Sequence, residues 1–163
     1  MKPNVYVETT ILSYLAARPS RDLVVAAHQA ITWDWWRVAP ARFGLFVSDA
    51  VMAEIRRGDP DAAARRVEFC KGLRVLQMAK PVNELAKTYE SELRLPPDAK
   101  TDLLHISFAV WYRVDYLVTW NCAHIANGNV ILQLMQTNER LGILTPLIVT
   151  PDALLATETG EIP

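Results

Sequence analysis

NVYVETTILSYL, Asn4 to Leu15, is the stretch that decides the fold class. Its first four residues form a short, β-favouring apolar run, the pattern of a buried strand. Ile11, Leu12 and Leu15 then recur at helical spacing. Strand gives way to helix across a single acidic residue, Glu8. A strand that passes so directly into a helix is the opening half of a βαβ unit, which implies a parallel sheet with helices packed on it.

The same alternation continues along the chain. Asp22 to Arg37 reads as a helix, with Leu23, Ala26, Ala27, Ala30, Ile31 and the Trp33/Trp35/Trp36 cluster on its apolar side. Phe43 to Val47 reads as the second strand, and Ser48 or Asp49 is a good N-cap for the helix after it. Gly58 ends that helix, and Asp59-Pro60 opens another that runs to about Lys71. Leu73 to Gln77 is a third strand. Pro81 sits in the first turn of a helix that Pro96-Pro97 must stop. Asp98 caps a helix whose residues Leu103, Leu104, Ile106, Phe108, Ala109 and Val110 imply burial on most sides. Tyr116 to Trp120 is a fourth strand, Ala126 to Leu141 a helix closed by Gly142, and Leu147 to Val149 a last strand before a short helix at Thr150-Pro151. The expected architecture is an α/β/α sandwich, a single domain over residues 1–163 with a mainly parallel sheet of four to five strands.

At 163 residues the chain can bury a core without disulfides or structural metal. Cys70 and Cys122 stand in no metal-binding or redox spacing and read as reduced thiols. The net charge of −1 argues against a purely electrostatic nucleic-acid binder, which needs a basic excess. No apolar run approaches the ~20 residues that span a bilayer, and the polar start MKPN does not resemble a signal peptide. A soluble, cytoplasmic protein with no membrane partner is expected. The few glycines never cluster, which weakens a nucleotide-binding reading.

Four polar side chains lie beside apolar runs in four separate segments: Glu8, Glu54, Asp102 and Asn121. Each has a plain structural explanation when taken singly. Glu8 and Asp102 compensate a helix dipole, Glu54 lies on a helix face, and Asn121 serves a turn. Glu8 and Asn121, however, follow strands directly, and functional groups of open α/β sheets gather at the carboxyl ends of strands. Carboxylates crowded against a core repel one another unless a hard cation compensates them. A Mg²⁺ or Mn²⁺ site acting on phosphodiesters is therefore the chemistry to test.

The strings around these residues carry a resemblance. VYVETTILSYL resembles the opening strand and first acid of the PIN-domain family, in the VapC-like toxin subgroup that has Glu-Thr-Thr. FVSDAVMAEIRRGDP is similar to its Ser-x-x-Val-x-x-Glu-Ile element. TDLLHISFAVWYRVDYLVTWN is similar to its third-acid helix and following strand, and WNCAHIAN with TPDALL resembles the same subgroup. The resemblance covers nearly the whole chain. It implies a PIN-like fold and metal-dependent hydrolysis of RNA that leaves a 5′-phosphate. It further implies an antitoxin protein as partner, and exposed apolar residues on the second helix suit a homodimer or antitoxin interface. Glu8, Glu54 and Asp102 match the acidic metal-binding and catalytic positions, Asn121 matches the fourth metal position, often an Asp, and Thr10 matches a small polar position after the first acid. Glu in place of Asp at position 8 lengthens that arm by one methylene, and Asn121 removes one charge.

Other residues invite weaker readings. His105, one turn after Asp102, is an auxiliary residue with a packing or supporting role rather than a zinc ligand. His124 is a second auxiliary that could touch phosphate or orient Asn121, and His28 reads as structural. Arg18, Arg21, Arg56 and Arg57 are candidates for steering phosphate. The tryptophan cluster reads as packing more than as a base-stacking surface. The competing reading of the whole chain is a catalytically weak or inactive PIN-like scaffold that binds RNA or protein.

Overall fold

The computed structural model describes residues 1–155, so the expectation of one domain reaching position 163 extends beyond the described residues. Five strands form one sheet: β1 (Asn4–Val7), β2 (Gly44–Ser48), β3 (Arg74–Leu76), β4 (Tyr116–Val118) and β5 (Leu147–Val149). Their order is β3-β2-β1-β4-β5, and every pairing is parallel. The helices are α1 (Thr9–Ala16), α2 (Leu23–Arg42), α3 (Asp49–Ile55), α4 (Pro60–Phe69), α5 (Lys80–Glu92), α6 (Lys100–Trp111), α7 (Gly128–Leu141) and α8 (Pro151–Leu155).

The two central strands are buried on both faces. Val5, Tyr6 and Val7 of β1, and Leu117 and Val118 of β4, have no exposed surface, as expected of a parallel sheet covered by helices on each side. One set of packed helices comprises α1, α2, α4 and α8, and the other α5, α6 and α7; α3 touches both. Helix α6 runs through the core, with Leu103 and then His105 to Val110 all buried, so its all-round apolar sequence reflects its position.

Local signals set most boundaries. The Ser48 side chain accepts from Val51 N to start α3, and Asp59 caps α4 at Ala62 N, with Pro60 in the first turn. Gly142 closes α7 in the left-handed conformation at φ 66°. Several boundaries differ from the sequence expectation: α7 starts at Gly128 behind its cap Asn127 rather than at Ala126, and β3 is trimmed to Arg74–Leu76. Helix α2 runs on past Arg37 to Arg42 with Pro40 in its last turn, where the ring deletes only one helical hydrogen bond. Helix α5 stops at Glu92, before the Pro96-Pro97 pair, because Leu93 turns extended and is buried. Asp98 is not the cap of α6: a 3-10 turn at Pro97–Ala99 already winds the chain, and Ala99 stands at the N-cap without a side-chain bond. The strand β4 ends at Val118, and Trp120 lies beyond it.

The topology fixes where a site can form. Chain leaves β1 toward β2 and β3 on one side, whereas β4 leads to β5 on the other. The carboxyl ends of β1 and β4 are thus a switch point, where α/β sheets open a crevice. Away from that rim, the buried Tyr89 hydroxyl of α5 donates to Asn138 Oδ1 of α7 at 2.6 Å, and Asn138 Nδ2 donates to Thr145 Oγ1 at 3.0 Å. Tyr89→Phe strands the buried Asn138 acceptor and is expected to destabilise the fold by about 1–3 kcal/mol, measured by urea unfolding. A variant as stable as the wild type would show that this bond contributes nothing.

Candidate metal centre

Glu8 ends β1 and caps α1, and it is 3% exposed. Its Oε2 accepts three bonds, from Thr10 N at 3.0 Å, Thr10 Oγ1 at 2.5 Å and Thr119 Oγ1 at 2.7 Å. The cap explains the first bond and register the last: Val7 pairs with Val118, and Glu8 N donates to Val118 O, so Glu8 and Thr119 leave adjacent strands side by side. Thr10 Oγ1 also accepts from Trp120 N at 2.9 Å. One carboxylate oxygen thus ties the two strand ends together.

Glu54, on α3, is brought in from the neighbouring βα unit. Its Oε2 accepts from the Thr9 hydroxyl and lies 2.9 Å from His105 Nε2. Ligand atoms of Glu8, Glu54 and His105 all lie within 4.8 Å of one another. Neither Glu8 nor Glu54 makes a hydrogen bond through Oε1 to any described residue, which leaves one oxygen of each for a cation. His105 is fully buried, and its other nitrogen, Nδ1, is 2.8 Å from the Tyr6 hydroxyl, itself 2.7 Å from Ser48 Oγ. With both ring nitrogens engaged, His105 supports Glu54 and is not a free ligand.

Asp102 and Asn121 form a second, adjoining cluster with His124. Asn121 Nδ2 donates to Asp102 Oδ1 at 2.9 Å, His124 Nδ1 lies 2.8 Å from Asp102 Oδ2, and Asn121 Oδ1 accepts from His124 N at 3.0 Å. Asn121 N donates to Thr119 Oγ1 at 2.9 Å, so Thr119 joins the two clusters. The four residues singled out in the sequence therefore share one rim as a Glu8–Glu54 pair and an Asp102–Asn121 pair. Within the described residues, the grouping close enough to share one ion contains Glu8 and Glu54 but not Asp102.

Thr9, Thr119 and Tyr6 were not among the residues singled out in the sequence, and Ser48 was named only as a helix cap. Thr9 follows Glu8 in the quoted VYVETTILSYL, and Thr119 lies two places before Asn121 in the quoted TDLLHISFAVWYRVDYLVTWN. Tyr6 carried no functional signal, since it reads as a core aromatic; Ser48 opens the Ser-x-x-Val-x-x-Glu-Ile element but was read only as a cap. His28 stacks on Trp120 with ring centroids 4.0 Å apart, in keeping with a structural role. Trp35 is buried and Trp36 packs on Phe69, so only Trp33 of the tryptophan cluster is exposed.

Electrostatics follow from this packing. Burial pushes Glu54 upward, but the His105 hydrogen bond and charge, the Thr9 hydroxyl and Arg57 together outweigh it and hold its carboxyl below the ordinary value. Burial pushes His105 downward, yet the Glu54 hydrogen bond and the charges of Glu8, Glu54 and Asp102 hold its proton above the ordinary value. Burial, with Glu8 and Glu54 nearby, keeps the Tyr6 hydroxyl well above its usual range despite the Ser48 bond. Glu8, Glu54 and Asp102 together make a crowd of negative charge that favours bound cations or protons.

No family model and no curated protein matches the chain. Solved structures do. A chain of the VapBC2 complex from Rickettsia felis, bound to a DNA fragment from its promoter, superposes with a TM-score of 0.57 at 15% identity, over 90% of this chain and 97% of that one. VapC20 of Mycobacterium tuberculosis, a sarcin–ricin-loop-cleaving toxin, gives a TM-score of 0.58 at 15% identity, over 74% of this chain and 92% of that one. The chain has the PIN-like fold of these VapC neighbours.

The Glu54–His105 pair sets a pH dependence with a definite sign. A raised His105 value stabilises the fold fully below its ordinary 6.5 and loses that contribution as pH rises through the folded value. A lowered Glu54 value stabilises above the ordinary 4.5 and loses its contribution as pH falls through the folded value. Thermal unfolding of the metal-free protein is expected to show Tm falling on both sides. A Tm that stays flat as pH rises from 6.5 would show that the pair is not charged in the free protein.

Proposed function

We propose that this protein is an endoribonuclease that requires Mg²⁺ or Mn²⁺ and is the toxin of a toxin–antitoxin pair. The observation that carries the reading is the convergence of Glu8 and Glu54 at the switch point of a PIN-like sheet, each with one carboxylate oxygen left without a hydrogen bond. The donor set fits a hard cation. Mg²⁺ takes oxygen ligands and keeps several waters, so a site of two carboxylates with a third nearby suits it. A bound divalent ion supplies charge neutralisation at phosphate and lowers the pKa of water.

The chain's own residues would do the rest. Glu8 and Glu54 hold the ion, Thr10 and Thr119 fix the first and Thr9 and His105 the second. Asp102 retains unused lone pairs on both oxygens and stands as the third acid, where it orients water or completes the ligand set. Asn121 and His124 hold Asp102, and His124 is close enough to that acid to meet a phosphate group placed there. Arg18, Arg21, Arg56 and Arg57 are exposed and suit phosphate steering at a rim otherwise rich in acids.

The neighbours support the biological setting. One is part of a complex of the VapBC type and the other is a sarcin–ricin-loop-cleaving toxin. For this chain we infer an RNA substrate, an antitoxin protein as partner, a homodimer, a single domain and a cytoplasmic setting. Among the described residues no helix is long and apolar enough to cross a membrane.

A second reading, a catalytically weak or inactive scaffold for RNA or protein, is favoured by one observation: both Asp102 oxygens are already hydrogen-bonded and Asp102 lies outside the closest acidic group. Cleavage of single-stranded and structured RNA with Mg²⁺ or Mn²⁺ separates the two. Glu8→Gln, Glu54→Gln and Asp102→Asn are each expected to lower the rate by roughly 10²-fold or more, and chelation of the metal is expected to abolish it. Activity that survives Asp102→Asn removes that acid from the site, and wild-type protein that neither binds metal nor cuts RNA favours the scaffold.

A further inference from the structure

The hydroxyl chain beneath Glu54 has a direction, and that direction determines which nitrogen of His105 carries the proton. Ser48 Oγ accepts the Val51 backbone N–H at 3.2 Å, as the N-cap of α3. Among the described residues its one other partner is the Tyr6 hydroxyl at 2.7 Å. Ser48 is fully buried, and a buried donor left unspent is costly. Its hydrogen therefore goes to Tyr6. Tyr6, also fully buried, spends its own hydrogen on its remaining partner, His105 Nδ1, at 2.8 Å. Nδ1 is thereby an acceptor. In a neutral imidazole the proton then sits on Nε2, 2.9 Å from Glu54 Oε2.

The opposite tautomer fails at both ends. With the proton on Nδ1, Tyr6 would have to donate to Ser48, whose oxygen already takes the Val51 N–H, and the Ser48 hydrogen would have no acceptor. At the far end a bare Nε2 lone pair would face a carboxylate oxygen.

We propose that Tyr6, directed by Ser48, is a positioning residue that selects the Nε2–H tautomer of His105 whenever its ring is neutral, so that His105 and Thr9 pin one oxygen of Glu54 and leave the other for a divalent cation. The chain runs from a helix cap, through the central strand, into the centre of α6 and out to the site. It deepens the nuclease reading and rests on it for the cation; the tautomer does not rest on it.

The test is nitrogen NMR of histidine-labelled protein on the alkaline side of the His105 titration, with and without Mg²⁺. The chain has three histidines, so His28→Gln and His124→Gln assign the His105 signals by elimination. The wild type is expected to show an unprotonated, hydrogen-bonded Nδ1 and a protonated Nε2. In Tyr6→Phe the Nδ1 signal is expected to move to that of an acceptor without a donor, and Mn²⁺ affinity by calorimetry to fall roughly 10–100-fold. A protonated Nδ1 in the wild type, an Nδ1 signal unmoved by Tyr6→Phe, or an unchanged Mn²⁺ affinity in a folded Tyr6→Phe variant overturns the proposal. Wild-type protein with the Nε2–H tautomer that binds no Mn²⁺ would fail the metal reading instead, so the two failures are distinguishable.

Discussion

The burial of the Glu8 carboxylate is the constraint on which the rest of this structure depends. A carboxylate 3% exposed at the end of the central strand is expensive unless its oxygens are satisfied. Three donors from Thr10 and Thr119 meet that demand on one oxygen. Charge-assisted bonds of this kind are stronger than neutral ones, and here they span two strands. The same contact that makes the acid tolerable therefore locks the carboxyl ends of β1 and β4 in register and makes the switch-point crevice a rigid place.

From that anchor the site grows outward by shared hydroxyls. Thr10 reaches Trp120 N, Thr119 reaches Asn121 N, and Asn121 holds Asp102. On the other side Thr9, the residue after Glu8, holds Glu54. Small β-branched hydroxyl residues suit this task because their χ1 freedom is limited. The acids are thus positioned by their neighbours in sequence as much as by the sheet. Each hydroxyl holds one acid, but Thr10 and Thr119 also hold the backbone after β4, so effects at this rim should not be additive.

The order of strands and helices was legible because each element carries a local cause. Apolar runs of strand length, Ser48 and Asp59 as caps and Gly142 at a left-handed stop all act within a few residues of themselves. Boundaries went astray where a distant contact outweighed a local signal. Helix α2 tolerates Pro40 while packed on α8, and α5 yields early so that Leu93 can turn inward. Asp98 looked like a cap only because the turn that precedes α6 could not be read from one residue.

By itself the sequence determined that this is a parallel α/β chain with acids at strand ends and helix starts, because strand, helix and cap preferences are properties of short segments. Tertiary structure alone decided how those acids group. It drew Glu8 and Glu54 together with His105 and set Asp102 beside Asn121 and His124. It also ran a hydrogen-bonded chain from Ser48 through Tyr6 to His105. Those contacts join residues 19 to 99 positions apart. No local rule reaches that far; the pairing register of the sheet and the path of α6 through the core do.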